Sequence, residues 1–240
     1  MKIFKTLFLL LCSLPHLLFA KGDLQTDLSL PYLVQQPKIK SAHPPVLILM
    51  HGYGSNEADL FDLKDNLPQN FLIISLRATM PMGNNSYQWF GMEMTDGKML
   101  GNRKDIANSV AKIKAMIPAI IKKYKADAAQ VYLSGFSQGG MMSYEVGLTA
   151  PELFKGIAPL SGKIFEPLKV QIKNTPSLKK LRIFIGHGDA DERVAYSFAT
   201  EANKYLKQMN LNPEFHTYKG MAHSINQQEI ADLSKWLSKP

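Results

Sequence analysis

Residues 131–140 read VYLSGFSQGG. Val131-Tyr132-Leu133 is a short β-prone run, and Gly135-Phe136-Ser137-Gln138-Gly139 is a G-x-S-x-G pentapeptide, the pattern that sets a serine on a tight strand-to-helix turn. Such a turn needs its glycines. It forces the serine backbone into a strained conformation, and a Cβ two residues away on either side would crowd the neighbouring strand or helix. Downstream, Met141, Met142, Tyr144, Glu145, Val146 and Leu148 read as a helix that stops near Pro151. Strand, turn and helix thus come in the order that presents the Ser137 hydroxyl above a sheet edge, which makes Ser137 the candidate nucleophile. The pentapeptide alone is a weak signal, since a glycine-rich turn in an ordinary α/β domain reads the same way.

Outward from this stretch, β-prone and helical segments alternate. Strands are expected at Tyr32 to Val34, Val46 to Met50, Phe71 to Ser75, Gly156 to Pro159, Arg182 to Gly186 and Glu214 to Tyr218. Helices are expected at Asn56 to Lys64, Asp105 to Tyr124 with a kink at Pro118, Tyr196 to Met209 and Asn226 to Leu237. Arg77 to Asn102 reads as a long irregular stretch. Repeated β, loop, α units imply an α/β fold with a mostly parallel central sheet and helices on both faces, and ligands in such sheets bind at the carboxyl ends of the strands.

A serine hydroxyl is a poor nucleophile at neutral pH, so the turn needs a histidine base and an acid to orient it. In α/β-hydrolases these follow in the order nucleophile, acid, base, on loops after later strands. The segment HGDADERV follows the strand at 182–186 and carries Asp189 and Asp191, either of which the spacing allows. KGMAHSI follows the strand at 214–218 and carries His223, the histidine that combines a late position, a loop after the last strand and a following helix. His43 lies in a Pro-rich approach to a strand and His216 within a strand, both ordinary packed or surface positions. His51 and His187 each precede a glycine at a strand end, where they brace loops. No further His or Cys accompanies His187, Asp189 and Asp191, so no metal is expected there. Negative charge developing on the acyl oxygen needs preorganised N–H donors. The amide of Gln138, next after the nucleophile at a helix start, is one; the loop His51-Gly52-Tyr53-Gly54 after an early strand is the source of the other.

Together, LILMHGYGSNEADL, the pair Trp89-Phe90, LSGFSQGGMM, IGHGDADERV and GMAHSI resemble the phospholipase/carboxylesterase family of small serine esterases, which includes bacterial carboxylesterases and acyl-protein thioesterases. The resemblance runs from about residue 29 to 237 with the motifs in the family's order. It implies an α/β-hydrolase fold without cofactor or metal, with Ser137 as nucleophile, Asp191 as acid, His223 as base and the amides of Tyr53 and Gln138 as oxyanion donors. Family members follow the acid with a Val-Pro pair; here Val194 fits and Ala195 departs.

The 240 residues suit one catalytic domain, residues 21–240, with no linker or internal repeat. The first twenty, MKIFKTLFLLLCSLPHLLFA, read as a secretory signal peptide: Lys2 and Lys5 precede an apolar run too short to span a bilayer, and Ala20 offers a cleavage site. The protein is therefore expected to be exported, to the periplasm or beyond the cell, which sets it apart from the mostly cytoplasmic relatives. Cys12, the only cysteine, would leave with that segment, so disulfides and cysteine catalysis are excluded from the mature chain. The formal net charge of +8 is spread over scattered lysines without interleaved aromatics or a nucleic-acid motif, which argues against a nucleic-acid partner and allows transient contact with anionic lipid.

The substrate expected is a small-molecule acyl ester or lipid of short to medium chain. Residues 77–102 hold Met80, Met82, Met92, Met94 and Met99 with Trp89 and Phe90, an adaptable apolar pocket or lid in which Trp89, Phe90, Met82 and Met92 are the candidate substrate contacts. Two rival readings are a serine peptidase and an exported binding protein that kept the fold without the chemistry; the complete set of parts argues against the second. The residues do not specify an oligomeric state.

Overall fold

Three runs of the chain are apolar almost without interruption, Val46–Met50, Leu72–Leu76 and Gly156–Leu160, and every residue in them is buried. Such runs suit strands covered on both faces. The structure, a computed structural model, describes residues 22–95 and 98–239, so the expected signal peptide lies outside the described residues. In chain order the first elements are β1 (Tyr32–Gln35), β2 (Val46–Met50), α1 (Ala58–Phe61), β3 (Leu72–Leu76), β4 (Met80–Gly83), β5 (Ser86–Gln88), β6 (Met92–Thr95) and β7 (Lys98–Gly101). Then come α2 (Arg103–Tyr124), β8 (Val131–Phe136), α3 (Gln138–Thr149), β9 (Gly156–Leu160), α4 (Glu166–Lys169) and α5 (Pro176–Lys180). The chain closes with β10 (Arg182–Gly188), α6 (Tyr196–Gln208), β11 (Glu214–Tyr218) and α7 (Gln227–Ser238).

Seven strands form one sheet in the order β1-β3-β2-β8-β9-β10-β11, parallel throughout except for the antiparallel β1 at one edge. This is the α/β-hydrolase architecture expected. The strand period of two sorts side chains between two cores. Val46, Ile48, Met50, Leu133, Ile183 and Ile185 pack on the side of Ile106, Met142 and Ala199 from α2, α3 and α6. Leu47, Leu49, Tyr132 and Phe184 pack on the side of Leu60 and Trp236 from α1 and α7. From β2 the sheet is wound outward in both directions, through β3 on one side and β8 on the other. The carboxyl ends of β2 and β8 therefore flank the topological switch point, where a ligand crevice is expected.

Some sequence-based elements take another form in the structure, and α4 and α5 were not expected. The helix expected at Asn56 to Lys64 is the single turn of α1 followed by a 3₁₀ segment at Asp62–Asn66. As expected, Pro118 lies within a single helix, α2; it is exposed, so water can satisfy the Lys114 carbonyl that loses its partner. The stretch expected to be irregular, 77–102, contains two antiparallel hairpins, β4–β5 and β6–β7. Asn84 and Asn85, with φ of 49° and 55°, supply the left-handed pair that a two-residue hairpin turn requires.

Candidate active site

Ser137 leaves β8 with φ 55° and ψ −113°, a strained conformation for a residue with a side chain. Main chain packs directly on main chain around it. A Cβ added to Gly135 would stand 2.4 Å from the Gly139 carbonyl carbon, and one added to Gly139 would stand 2.0 Å from the Met50 carbonyl oxygen. The Ser137 N–H donates to the Leu160 carbonyl at 2.9 Å, tying the turn to the neighbouring strand.

Three loops at the carboxyl ends of β8, β10 and β11 bring Ser137, Asp191 and His223 together. His223 Nε2 lies 2.8 Å from Ser137 Oγ, and His223 Nδ1 lies 2.7 Å from Asp191 Oδ2. The other Asp191 oxygen accepts the Arg193 and Val194 amides, each at 2.9 Å. Burial by itself would raise the Asp191 pKa, but the His223 hydrogen bond and the two amides outweigh it and hold the carboxyl below its ordinary value. An ionised Asp191 accepts a hydrogen bond from the Nδ1–H, which leaves the Nε2 lone pair facing the serine hydroxyl.

Of the two aspartates, Asp191 meets His223 and Asp189 does not. Asp189 turns to the Gly220 N–H at 2.6 Å, and the Ala190 N–H donates to the Met221 carbonyl at 3.1 Å, so Asp189 joins the acid loop to the histidine loop. His187 braces the same loop from beneath, its Nε2–H donating to the Val194 carbonyl at 2.8 Å. His216 stacks on Phe184 with ring centroids 4.7 Å apart, and His43 Nδ1 meets the Lys125 carbonyl at 2.9 Å.

Tyr53 lies in the wall of a cleft of about 320 Å³ together with Phe136, Ser137, Arg193, Val194 and His223. Among the described residues, neither the Tyr53 N–H nor the Gln138 N–H donates to a protein acceptor. Gln138 opens α3, where the helix leaves the first amides without internal partners. The Tyr53 amide is oriented by His51. Because the Ala78 N–H donates to His51 Nε2 at 3.1 Å, the ring proton sits on Nδ1 and donates to the Gly52 carbonyl at 2.7 Å. That carbonyl belongs to the planar trans peptide whose opposite edge is the Tyr53 N–H, so the imidazole fixes the direction of the donor. Burial holds the His51 pKa below its ordinary value, which keeps the ring neutral.

Two of the candidate substrate contacts, Trp89 and Phe90, are core residues. Trp89 and Phe90 are fully buried and do not line the cleft. The Gln138 side chain pulls this pair inward: its Oε1 accepts the Trp89 N–H at 2.7 Å and its Nε2 donates to the Phe90 carbonyl at 2.8 Å, while Trp89 Nε1 donates to the His51 carbonyl at 2.9 Å. A buried amide must find partners, and this segment supplies both of them. Met82 and Met92 are 40% and 41% exposed on β4 and β6, outside the cleft wall. The side chain of Met99 lies outside what is described. Sequence reasoning missed Phe136, whose ring lies 4.8 Å from that of His223, and the clamping role of the Gln138 side chain. The polar residue inside the pentapeptide was the available signal for the second.

The family model described as Phospholipase/Carboxylesterase matches residues 33–240. Acyl-protein thioesterase 1 of Mycosarcoma maydis is 31% identical over 229 residues, 86% of this chain and 95% of that protein. Acyl-protein thioesterase 1 of Saccharomyces cerevisiae is 32% identical over 181 residues, 72% of this chain and 75% of that protein. Among solved structures, esterase PE8 has a TM-score of 0.73 at 26% identity and covers 88% of this chain and 98% of its own. A carboxylesterase from Mesorhizobium loti has a TM-score of 0.75 at 22% identity, covering 91% and 99%, a likeness of fold. This chain belongs to the phospholipase/carboxylesterase family and is an α/β-hydrolase of the ester-cleaving kind.

Proposed function

We propose that Ser137, His223 and Asp191 act as a catalytic triad that hydrolyses short-to-medium acyl esters, with lysophospholipids and acyl thioesters within its range. The observation that carries this reading is the unbroken run from Ser137 Oγ through His223 to Asp191 Oδ2, at 2.8 and 2.7 Å, opening on a cleft. His223 Nε2 takes the hydroxyl proton as Oγ adds to the acyl carbon, and the carbonyl oxygen becomes an oxyanion held by the Tyr53 and Gln138 amides. Collapse expels the alcohol or thiol, which leaves with the proton from the imidazolium. Water then enters by the same route in reverse and frees the acid. Asp191 stays ionised and stabilises the imidazolium.

The test is turnover of p-nitrophenyl esters of graded chain length by the wild type and Ser137→Ala. Turnover that disappears in the variant is expected; equal rates in the two proteins would overturn the reading. A cleft of about 320 Å³ sits at the small end of ligand sites and favours modest acyl groups near the serine.

Residues 1–20 are read as a signal peptide, so the exported protein should begin at Lys21; an intracellular protein that retains Met1 would contradict export. Exposed Tyr53, Met82, Met92 and Met94, with the positive net charge, support transient contact with an anionic lipid surface.

A further inference from the structure

A second cavity, of about 480 Å³, draws much of its lining from the segment that follows β9 and has a cation in its wall. Its position follows from the end of β9. Leu160, the last residue of that strand, accepts the Ser137 N–H. Ser161 turns the chain with φ 46°, and Gly162 rests on the first turn of α3, where an added Cβ would stand 2.8 Å from the Gly140 carbonyl carbon. Lys163 comes next, so no more than about 11 Å of chain separates it from the residue bonded to Ser137. On the other side, Val194 lines the serine cleft and Phe198 lines this cavity, so one short segment contributes to the walls of both.

Lys163 is half-buried, its Nζ 5.1 Å from the centroid of Phe165 and 4.8 Å from that of Phe198. Ring faces attract a cation but leave the three ammonium donors without acceptors. Among the described residues no carboxylate pairs with it. Glu166 and Glu201 also line the cavity but neither pairs with Lys163: Glu166 bonds Lys169 at 2.6 Å, and Glu201 is exposed on α6. Other partly buried cations do have their anions, Arg77 with Glu57, Arg103 with Glu145 and Lys123 with Asp27. Burial lowers the Lys163 pKa with nothing to offset it. Apolar walls at Leu100, Ile164 and Phe165 complete a space for a chain that ends in a negative charge.

We propose that this cavity recognises an anionic substituent, a carboxylate or phosphate carried on the ester that Ser137 cleaves, through Lys163. The proposal rests on the catalytic reading above and adds the substrate's charge to it. Two kinetic arms separate the sources of the charge. In the acyl arm, the p-nitrophenyl half-ester of adipic acid is compared with p-nitrophenyl hexanoate; in the alcohol arm, a lysophosphatidic acid is compared with the monoacylglycerol of the same chain.

The wild type should favour the anionic member of at least one pair by about tenfold in kcat/KM, the low end for a hydrogen bond to a charged group. Lys163→Met should abolish that ratio, Lys163→Arg should keep most of it, and Lys207→Met, which changes the net charge equally at an exposed site, should change it less than twofold. A ratio untouched by Lys163→Met in both arms, or no anionic preference in the wild type, overturns the proposal. Ratios do not depend on the fraction of folded enzyme. Failure of the catalytic reading would appear separately, as turnover surviving Ser137→Ala or as no turnover at all. In the latter case, calorimetric binding of adipate against hexanoate decides: tighter adipate binding that Lys163→Met removes supports the site, and equal binding overturns it.

Discussion

The floor under Ser137 and the hairpins beyond the cleft are built by different means. Beneath the serine, backbone packs against backbone: Gly135 on Gly139, Gly139 on Met50 and Gly188 on Met221, all closer than a side chain would permit. Above it, the hairpins β4–β5 and β6–β7 are attached by side chains and a few ladder bonds, and Met82, Met92 and Met94 face outward. The first construction leaves no slack, and tolerates no added atom. The second leaves room to vary without moving the reacting groups. On the proposed reading, catalytic geometry belongs to the first region, and the second is where chain-length preference is to be tested.

The largest effect should come from adding one carbon to the floor. Gly139→Ala must displace the Met50 strand end or the turn itself, so loss of turnover together with several degrees or more of thermal stability is expected; overpacking of this kind costs about 1–3 kcal/mol and at times more. Gly83→Ala, in the hairpin, meets nothing within 4 Å and pays only for its φ of 87°, about 1–2 kcal/mol. If thermal melts show equal losses for the two, the contrast between the regions is broken.

The floor also contains a buried acid. Glu229 of α7 is fully buried, neither carboxylate oxygen has a hydrogen-bond partner among the described residues, and Oε1 would lie 2.2 Å from a Cβ on Gly186. Burial, with a smaller contribution from the charge of Asp232, raises its pKa from 4.5 to about 8. Between those values the native state holds a proton that the unfolded chain has released, so stability falls as pH rises and levels off above about 8. Glu229→Gln removes this dependence. The stability difference between variant and wild type should therefore widen from pH 5 to pH 8, by at most about 4 kcal/mol, in denaturant unfolding. Parallel pH profiles would contradict a proton on Glu229.

What could be read in advance follows the same division. β2, β3 and β9 were legible because burial on both faces leaves almost no polar residue in them, and Ser137 because its turn demands glycines at fixed offsets. His223 was legible from its order along the chain. The hairpins were not, because strands of three or four residues are too short to show a clear period, although Asn84-Asn85 and Asp96-Gly97, the latter outside the described residues, are hairpin-type pairs. Trp89 and Phe90 misled because aromatic residues near a cleft suit a pocket and a core equally well. The deciding fact, that Gln138 bonds both of their backbones, is a long-range contact that no local pattern contains.

His51 links the two regions, since it bonds Gly52 below and Ala78 and Trp89 on the way to the hairpins. His51→Phe keeps a ring of similar breadth but loses both ring hydrogen bonds, leaving the Ala78 N–H buried without an acceptor at a cost of about 1–3 kcal/mol. With the Gly52 carbonyl released, the Tyr53 amide is free to turn away from the oxyanion. The expected kinetic signature is a fall in kcat on the order of 10²-fold with little change in KM, the mark of a donor used in the transition state. A fall confined to KM would assign His51 to the hairpins alone.

The smallest effect should lie on the hairpin surface. Met82→Ala and Met92→Ala remove side chains 40% and 41% exposed, so their stability changes should stay within about 0.5 kcal/mol. Neither side chain touches the cleft wall, so kcat on the shortest ester should not move. A long acyl chain, however, must leave a cleft of about 320 Å³ and find apolar surface beyond it, and the outward methionines offer that surface. The double variant should therefore shift the chain-length optimum downward, by raising KM for the longest esters a few-fold while leaving the shortest unchanged. If every chain length slows equally, the hairpins reach the reacting groups after all, and the two regions are one.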